Sequence, residues 1–168
     1  MTITIRTEQP ADIDAIFELT RLAFLSAAHT SHTEQFIVNA LRRSGHLALS
    51  LVAVEEQRLV GHVAFSPVTV SSGDTSWYGV GPLSVLPERQ RQGIGSRLMQ
   101  EGMAMLITGG ARGCVLLGDP AYYSRLGFSP CKGLVLPGVP PEYFLCKSFG
   151  GALPEGEVAY APAFGATV

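Results

Sequence analysis

Apolar and polar positions along this chain alternate with two periods, and the switches between them outline its elements. "TITIRT" (2–7) alternates residue by residue, which predicts a short half-buried strand. After the turn at Glu8-Gln9-Pro10, Asp12 opens a segment in which Ile13, Ile16, Phe17, Leu19, Ala23 and Phe24 recur at helical spacing. A second helix is predicted from about Thr33 to Arg43 (Phe36, Ile37, Ala40, Leu41), stopped by Gly45. "LALSLVAVEEQRLVGHVAFSPVTV" then returns to the strand period as two strands joined by a turn at Glu55–Gln57, with Pro67 marking an edge or bulge.

"SSGDTSW" reads as a turn and "WYGVGPLSVL" as another strand, weakened in its middle by Gly79, Gly81 and Pro82. Such a strand suits a bulge, or a place where a ligand meets the backbone. From Ile94 the helical period resumes through Leu98, Met99, Met103, Leu106 and Ile107, and Gly109-Gly110 ends it. "CVLLG" is wholly apolar, as expected of a strand buried on both faces. "DPAYYSRLGF" reads as a single short helix closing on Gly127, and the Gly- and Pro-rich remainder holds one clear strand at "EYFLCKSF". The order β-α-α-β-β-β-α-β-α-β predicts an α/β (α+β) domain, a mixed sheet with helices on its faces. At 168 residues, with no repeat or low-complexity linker, one domain over 1–168 is expected.

Composition narrows the function. The chain is 46% hydrophobic and 15% charged, yet no apolar run approaches a membrane span, and "MTITIRTEQP" lacks the basic and apolar blocks of a signal peptide. A cytoplasmic location and no membrane partner are expected. A net charge of −2 argues against broad nucleic-acid binding. Cys114, Cys131 and Cys146 are odd in number and widely spaced, which fits reduced thiols and gives no metal framework. His29 and His32 lie close together without a carboxylate-rich ligand set, so they read as loop histidines and no metal is expected.

The candidate chemistry concentrates in "PERQRQGIGS" (87–96), between a strand ending near Leu86 and a helix beginning near Ile94. A helix start offers unpaired N–H groups and a partial positive charge, and glycines there let a phosphate approach. Arg89 and Arg91 add cationic donors and Ser96 a hydroxyl. The Walker pattern is absent and GxGxxG is unmet, since Gly93-Ile94-Gly95 is followed by Ser96-Arg97-Leu98. A nicotinamide-dependent enzyme is disfavoured on that ground, and a serine hydrolase for want of G-x-S-x-G. Alone, the GxG pattern serves equally to ease a tight strand-to-helix turn.

Gln90-x-x-Gly93-x-Gly95, after "LSVLPE" and before an amphipathic helix, resembles the acetyl-CoA signature of the GNAT family of N-acetyltransferases. About 30 residues on, "YYSRLGF" (Tyr122 to Phe128) resembles that family's Tyr-x-x-x-Gly-Phe motif. "GDPAYYSRLGF", with the tail that follows, resembles the YhbS-like branch.

The resemblance covers most of the chain. It implies a mixed, mostly antiparallel sheet flanked by helices, with two parallel central strands ("PLSV" and "CVLLG") splayed to admit acetyl-CoA as co-substrate. It implies pantetheine against the backbone of Leu83, Ser84 and Val85, and pyrophosphate on the segment Gln90, Arg91, Gln92, Gly93, Ile94, Gly95 and Ser96. The Leu83 N–H becomes the oxyanion donor and Tyr123 the general acid, also touching the cofactor. Acetyl transfer to a primary amine, on a small molecule or a protein, is the implied reaction, and a homodimer is left open.

No Asp, Glu or His lies in "WYGVGPLSV", so the strand carboxylate that many relatives use as base is missing. His32, Glu34, His62, Asp119 or water are the alternatives, with Asp119 equally a cap for a helix at Ala121. The empty position keeps a second function open, a non-catalytic acetyl-CoA or CoA sensor of the same fold.

Overall fold

The alternating N-terminus pairs into a sheet edge, and the rest of the chain builds outward from it. The structure is a computed structural model that describes residues 2–28 and 30–168, so His29 lies outside the described residues. In chain order the elements are β1 (Thr4–Thr7), α1 (Ile13–Phe24), α2 (Glu34–Ser44), β2 (Leu49–Glu55), β3 (Arg58–Pro67), β4 (Thr69–Val70), β5 (Trp77–Val85), α3 (Ile94–Thr108), β6 (Gly113–Leu117), α4 (Pro120–Tyr123), β7 (Ser129–Pro130), β8 (Leu134–Val135), β9 (Phe144–Ser148) and β10 (Gly156–Ala159).

Seven strands form one sheet in the order β1-β2-β3-β5-β6-β9-β7, and β4-β10-β8 form a second. In the large sheet every pair is antiparallel except β5 with β6. This is the expected mixed α/β sheet. The short strands β4, β7, β8 and β10 are additions to the order read from the sequence. The single helix expected over "DPAYYSRLGF" is two pieces: the one-turn α4, then a 3-10 turn at Ser124–Leu126.

Alternation along β2 assigns the two faces. Leu51 and Ala53 belong to the core under α3, whereas Val52 packs with Ile16 of α1 and Val38 of α2. The α3 core is close-packed around Phe65: a Cβ at Gly102 would fall 2.4 Å from the Phe65 ring. The β2–β3 hairpin turns where expected, with Glu56 and Gln57 both at positive φ (50° and 66°). On the α1/α2 side, Arg42 pairs with Glu8 through two hydrogen bonds of 2.9 and 3.0 Å, tying α2 to the chain after β1.

Candidate functional site

The central pair β5/β6 runs side by side only at Trp77↔Gly113, Tyr78↔Cys114 and Gly79↔Val115. Beyond Gly79 the two strands part. The cause lies in β5: the register with β3 shifts between Val63 and Phe65, opposite Gly81-Pro82. Proline removes one ladder donor and Gly81 adopts φ 143°, so the strand bends away from β6. The weakness read at Gly79, Gly81 and Pro82 is thus the point where the sheet opens.

The hydrogen-bond phase beyond the opening follows from one contact. Leu86 N–H donates to the Val60 carbonyl at 3.0 Å. Alternate residues of an antiparallel pair turn their N–H and C=O toward the partner, so Ser84 bonds His62 across the ladder. Leu83 and Val85 therefore aim their backbone groups at the β6 side, where the pairing has ended. The Val85 carbonyl accepts a hydrogen bond from the Gln90 side-chain amide at 3.1 Å, which ties the loop to the strand.

A groove of about 560 Å³ runs from this opening to the start of α3. Leu83 and Val85 form one wall, and Gln90, Arg91, Gly93, Ile94, Gly95 and Ser96 form the end. Gly93 caps α3 in the left-handed region (φ 83°), and Arg91 is also left-handed at φ 63°. Left-handed backbone at both Arg91 and Gly93 is the kind of turn that builds anion-binding nests. Gln92 is exposed and stands outside the groove, and the Ser84 side chain is buried on the opposite face of the sheet.

The structure redistributes several roles. Arg89, read as a phosphate donor, donates from both terminal guanidinium nitrogens to Glu55 at 2.6 and 2.8 Å and so anchors the loop to β2. Arg91 and Arg125 line the groove with no carboxylate partner among the described residues. Tyr122 also lines it, its hydroxyl 3.1 Å from Ser96 Oγ. A Cβ at Gly95 would stand 3.1 Å from that same hydroxyl, so the second glycine of the motif makes room for Tyr122. The sequence reading missed Tyr122 and Arg125. Their signal was their own i, i+3 spacing, which puts the two side chains on one helical face.

Tyr123 stands edge-on to Tyr122 and Phe128 (ring centroids 4.8 and 6.0 Å apart), and its ring passes where a Gly118 Cβ would sit, at 2.4 Å. Burial, with Tyr122 adding, pushes its phenol up to about 12.

The candidate bases separate by access. His62 is fully buried, and burial, opposed by Glu8 and assisted by Arg42, pushes its imidazole down to about 4. Its Nε2 lies 2.8 Å from Ser50 Oγ. Because the Ser50 hydroxyl proton goes to Glu8, His62 carries its proton on Nε2, and Nδ1 is left without a partner among the described residues. Asp119 accepts from Ala121 N–H at 2.9 Å and is the cap of α4. His32 is exposed in the loop before α2 at φ 59°. Glu34 lines a second cavity, of about 480 Å³, together with Val80, Gly81 and Pro82 of β5 and Phe24 and Ile37 of the helices. Among the described residues no three His, Cys, Asp or Glu side chains converge as metal ligands, and no helix is long and apolar enough to cross a membrane.

This geometry coincides with a known family. The profile of the acetyltransferase (GNAT) domain matches residues 4–131. The chain belongs to the GNAT family of acetyltransferases. Within the GNAT family it is similar to the uncharacterised N-acetyltransferase YhbS of Escherichia coli K12, at 42% identity over 125 residues, 74% of this chain and 72% of that one. In three dimensions it is similar to a GNAT family acetyltransferase from Brucella melitensis solved with acetyl-CoA, with a TM-score of 0.87 and 47% identity over 97% of this chain and 98% of that one. The E. coli YhbS structure solved with CoA gives a TM-score of 0.87 at 35% identity, covering 96% and 91% of the two chains. The YhbS-like branch read from "GDPAYYSRLGF" is therefore the one to which the comparisons lead.

Proposed function

We propose that this protein transfers the acetyl group of acetyl-CoA to a primary amine by direct attack, residues 1–168 acting as one N-acetyltransferase domain in the cytoplasm, where acetyl-CoA is available. The observation that carries the reading is the β5–β6 ladder that stops at Gly79↔Val115, leaving the inward-turned backbone of Leu83 and Val85 facing a groove that ends at α3. A ligand with amides along its length and phosphates at one end fits that groove. The solved relatives bound to acetyl-CoA and CoA support the choice.

In this reading the backbone of Leu83 and Val85 takes the place of a missing strand for pantetheine, while Ser84 stays paired with His62 of β3. The amides of Arg91, Gly93, Ile94, Gly95 and Ser96 receive the pyrophosphate. Gln90 fixes the turn through Val85, while Tyr122, Arg91 and Arg125 close the phosphate end. Acetyl-CoA supplies an activated thioester. The amine nitrogen bonds to its carbonyl carbon and the C–S bond breaks, so an ammonium and acetyl-CoA give an amide, CoA thiol and one proton released to water. The Leu83 N–H donates to the carbonyl oxygen as charge grows on it. Tyr123, held protonated by burial, donates to the departing sulfur.

Calorimetric titration with acetyl-CoA, CoA, NAD and ATP tests the donor, and thiol release with and without primary amines tests the transfer. Binding confined to the CoA compounds, with release that requires an amine, is expected. Preferential binding of NAD or ATP would overturn the donor assignment. Tight CoA binding with no release on any amine would reduce the protein to a sensor.

A further inference from the structure

The second cavity opens on the α1/α2 side of the same splay, and its walls carry more information than its position. Phe24, Ile37, Val80, Pro82, Leu117 and Leu136 make it apolar. Among the described residues Glu34 is the one charged member of its lining, with no Lys, Arg or His beside it. Tyr160 closes the inner end. Its ring passes 2.8 Å from where a Gly79 Cβ would be, at the last β5–β6 pair, and its hydroxyl is sealed from solvent without a partner among the described residues.

Glu34 is prepared to meet a cation. Burial alone would raise its pKa, but hydrogen bonds from Thr30 Oγ1 (2.7 and 2.8 Å) and the Ser31 N–H (3.2 Å) outweigh it and hold the carboxyl below its ordinary value. A carboxylate so held is a poor proton acceptor and a good counter-ion. These bonds also brace the loop before α2, which fixes the carboxylate at the rim.

Charge then sorts the acceptors. A free amino acid would bring a carboxylate into a lining that holds no cation among the described residues, and burying it unpaired is costly. A polyamine would bring two or more ammonium groups to a single carboxylate, and a phosphorylated amine would be repelled by Glu34. We propose that the acceptor is a primary monoamine on an apolar aryl or alkyl body, its ammonium held by Glu34 and its body seated against Phe24, Ile37, Leu117 and Leu136. The proposal rests on the acetyl-transfer reading above and specifies its substrate class.

Thiol release at saturating acetyl-CoA is measured with 2-phenylethylamine, hexylamine, phenylalanine and spermidine. The two monoamines are expected to exceed phenylalanine and spermidine in kcat/KM by about tenfold or more, the scale of one mismatched buried charge. A readout independent of turnover uses N,N-dimethyl-2-phenylethylamine, a tertiary amine that cannot form the amide, titrated into CoA-loaded protein. Glu34→Gln is expected to weaken its affinity by about tenfold with CoA affinity unchanged. Leu136→Lys, on the cavity rim, is expected to shift preference from 2-phenylethylamine toward phenylalanine by supplying the missing cation. Phenylalanine or spermidine turned over as well as the monoamines would overturn the proposal. So would tertiary-amine binding indifferent to Glu34→Gln, or no turnover of any of the four by protein that binds CoA. Failure to bind CoA at all would instead sink the acetyl-transfer reading beneath it.

Discussion

Gly93 permits a test in which backbone strain and charge are read separately. It sits at φ 83°, and a Cβ placed on it meets nothing within 4 Å, so a small side chain there is strained without being crowded. Asn and Asp are nearly isosteric, and both tolerate the left-handed region better than other residues. Gly93→Asn and Gly93→Asp should therefore lose similar stability, about 1 kcal/mol. The added carboxylate of Asp differs only in charge. At ~6 Å from a pyrophosphate bearing about two negative charges, with an effective dielectric of ~40–80, repulsion amounts to ~1–3 kcal/mol. That corresponds to roughly 10- to 100-fold weaker acetyl-CoA binding than in the Asn protein. Calorimetry measures both affinities, and repeating it at higher salt should narrow the gap because the groove is open to solvent. Equal affinities in the Asn and Asp proteins would refute the placement of phosphate at α3, whatever the loss shared by both.

Tyr123→Phe should lower kcat by about 10²- to 10⁴-fold, a usual range for a lost proton donor, with acetyl-CoA affinity nearly unchanged. Because burial holds the phenol near 12, no ionisation of Tyr123 should shape the pH-rate profile of the wild type below pH 10. His62 predicts acid lability: its folded pKa of about 4 lies below the unfolded ~6.5, so the unfolded chain binds the extra proton in that window. Its contribution is full above pH 6.5 and falls away toward pH 4, a loss of roughly 2 kcal/mol between pH 7.5 and 5. His62→Gln should flatten urea-melt stability over that range, with Glu8 and Arg42 still in place; an unchanged slope would show that another group controls it. Gly102→Ala should destabilise despite alanine's helix preference of ~1 kcal/mol, because its methyl meets the buried Phe65 ring. A net loss of about 1–3 kcal/mol is expected by thermal melt, and a gain would mean that Phe65 moves freely.

The elements that periodicity makes visible are those whose partners are decided by their own pattern. The strands at "TITIRT" and "CVLLG" and the helix from Ile94 declare their buried faces residue by residue, and all three form. The strands β4, β7, β8 and β10 do not. Each is two to four residues long, and β10 exists through contacts far away in sequence, Val158↔Val70 in β4 and Gly156↔Leu134 in β8. The groove was legible because Gly93 and Gly95 report backbone geometry directly. Arg89 was misread because a guanidinium beside a phosphate-like turn looks the same whether its partner is a ligand or, as here, Glu55 on β2. The acceptor cavity was the least legible part: Phe24, Glu34, Leu117, Leu136 and Tyr160 come from five segments that only the fold brings together.

The interrupted ladder between β5 and β6 also creates a hazard. Residues 80–85 of β5 form an unpaired edge in the middle of a sheet, and an unpaired edge invites a strand from another molecule. Pro82, which lacks an N–H, and the irregular backbone at Gly81 spoil that edge as a template for a continuous antiparallel or parallel partner. The same two residues that open the sheet therefore also restrict what can enter it. A ligand needing only a few scattered backbone bonds is admitted, while a foreign strand needing an unbroken row of them is turned away, which protects the empty protein from edge-to-edge aggregation.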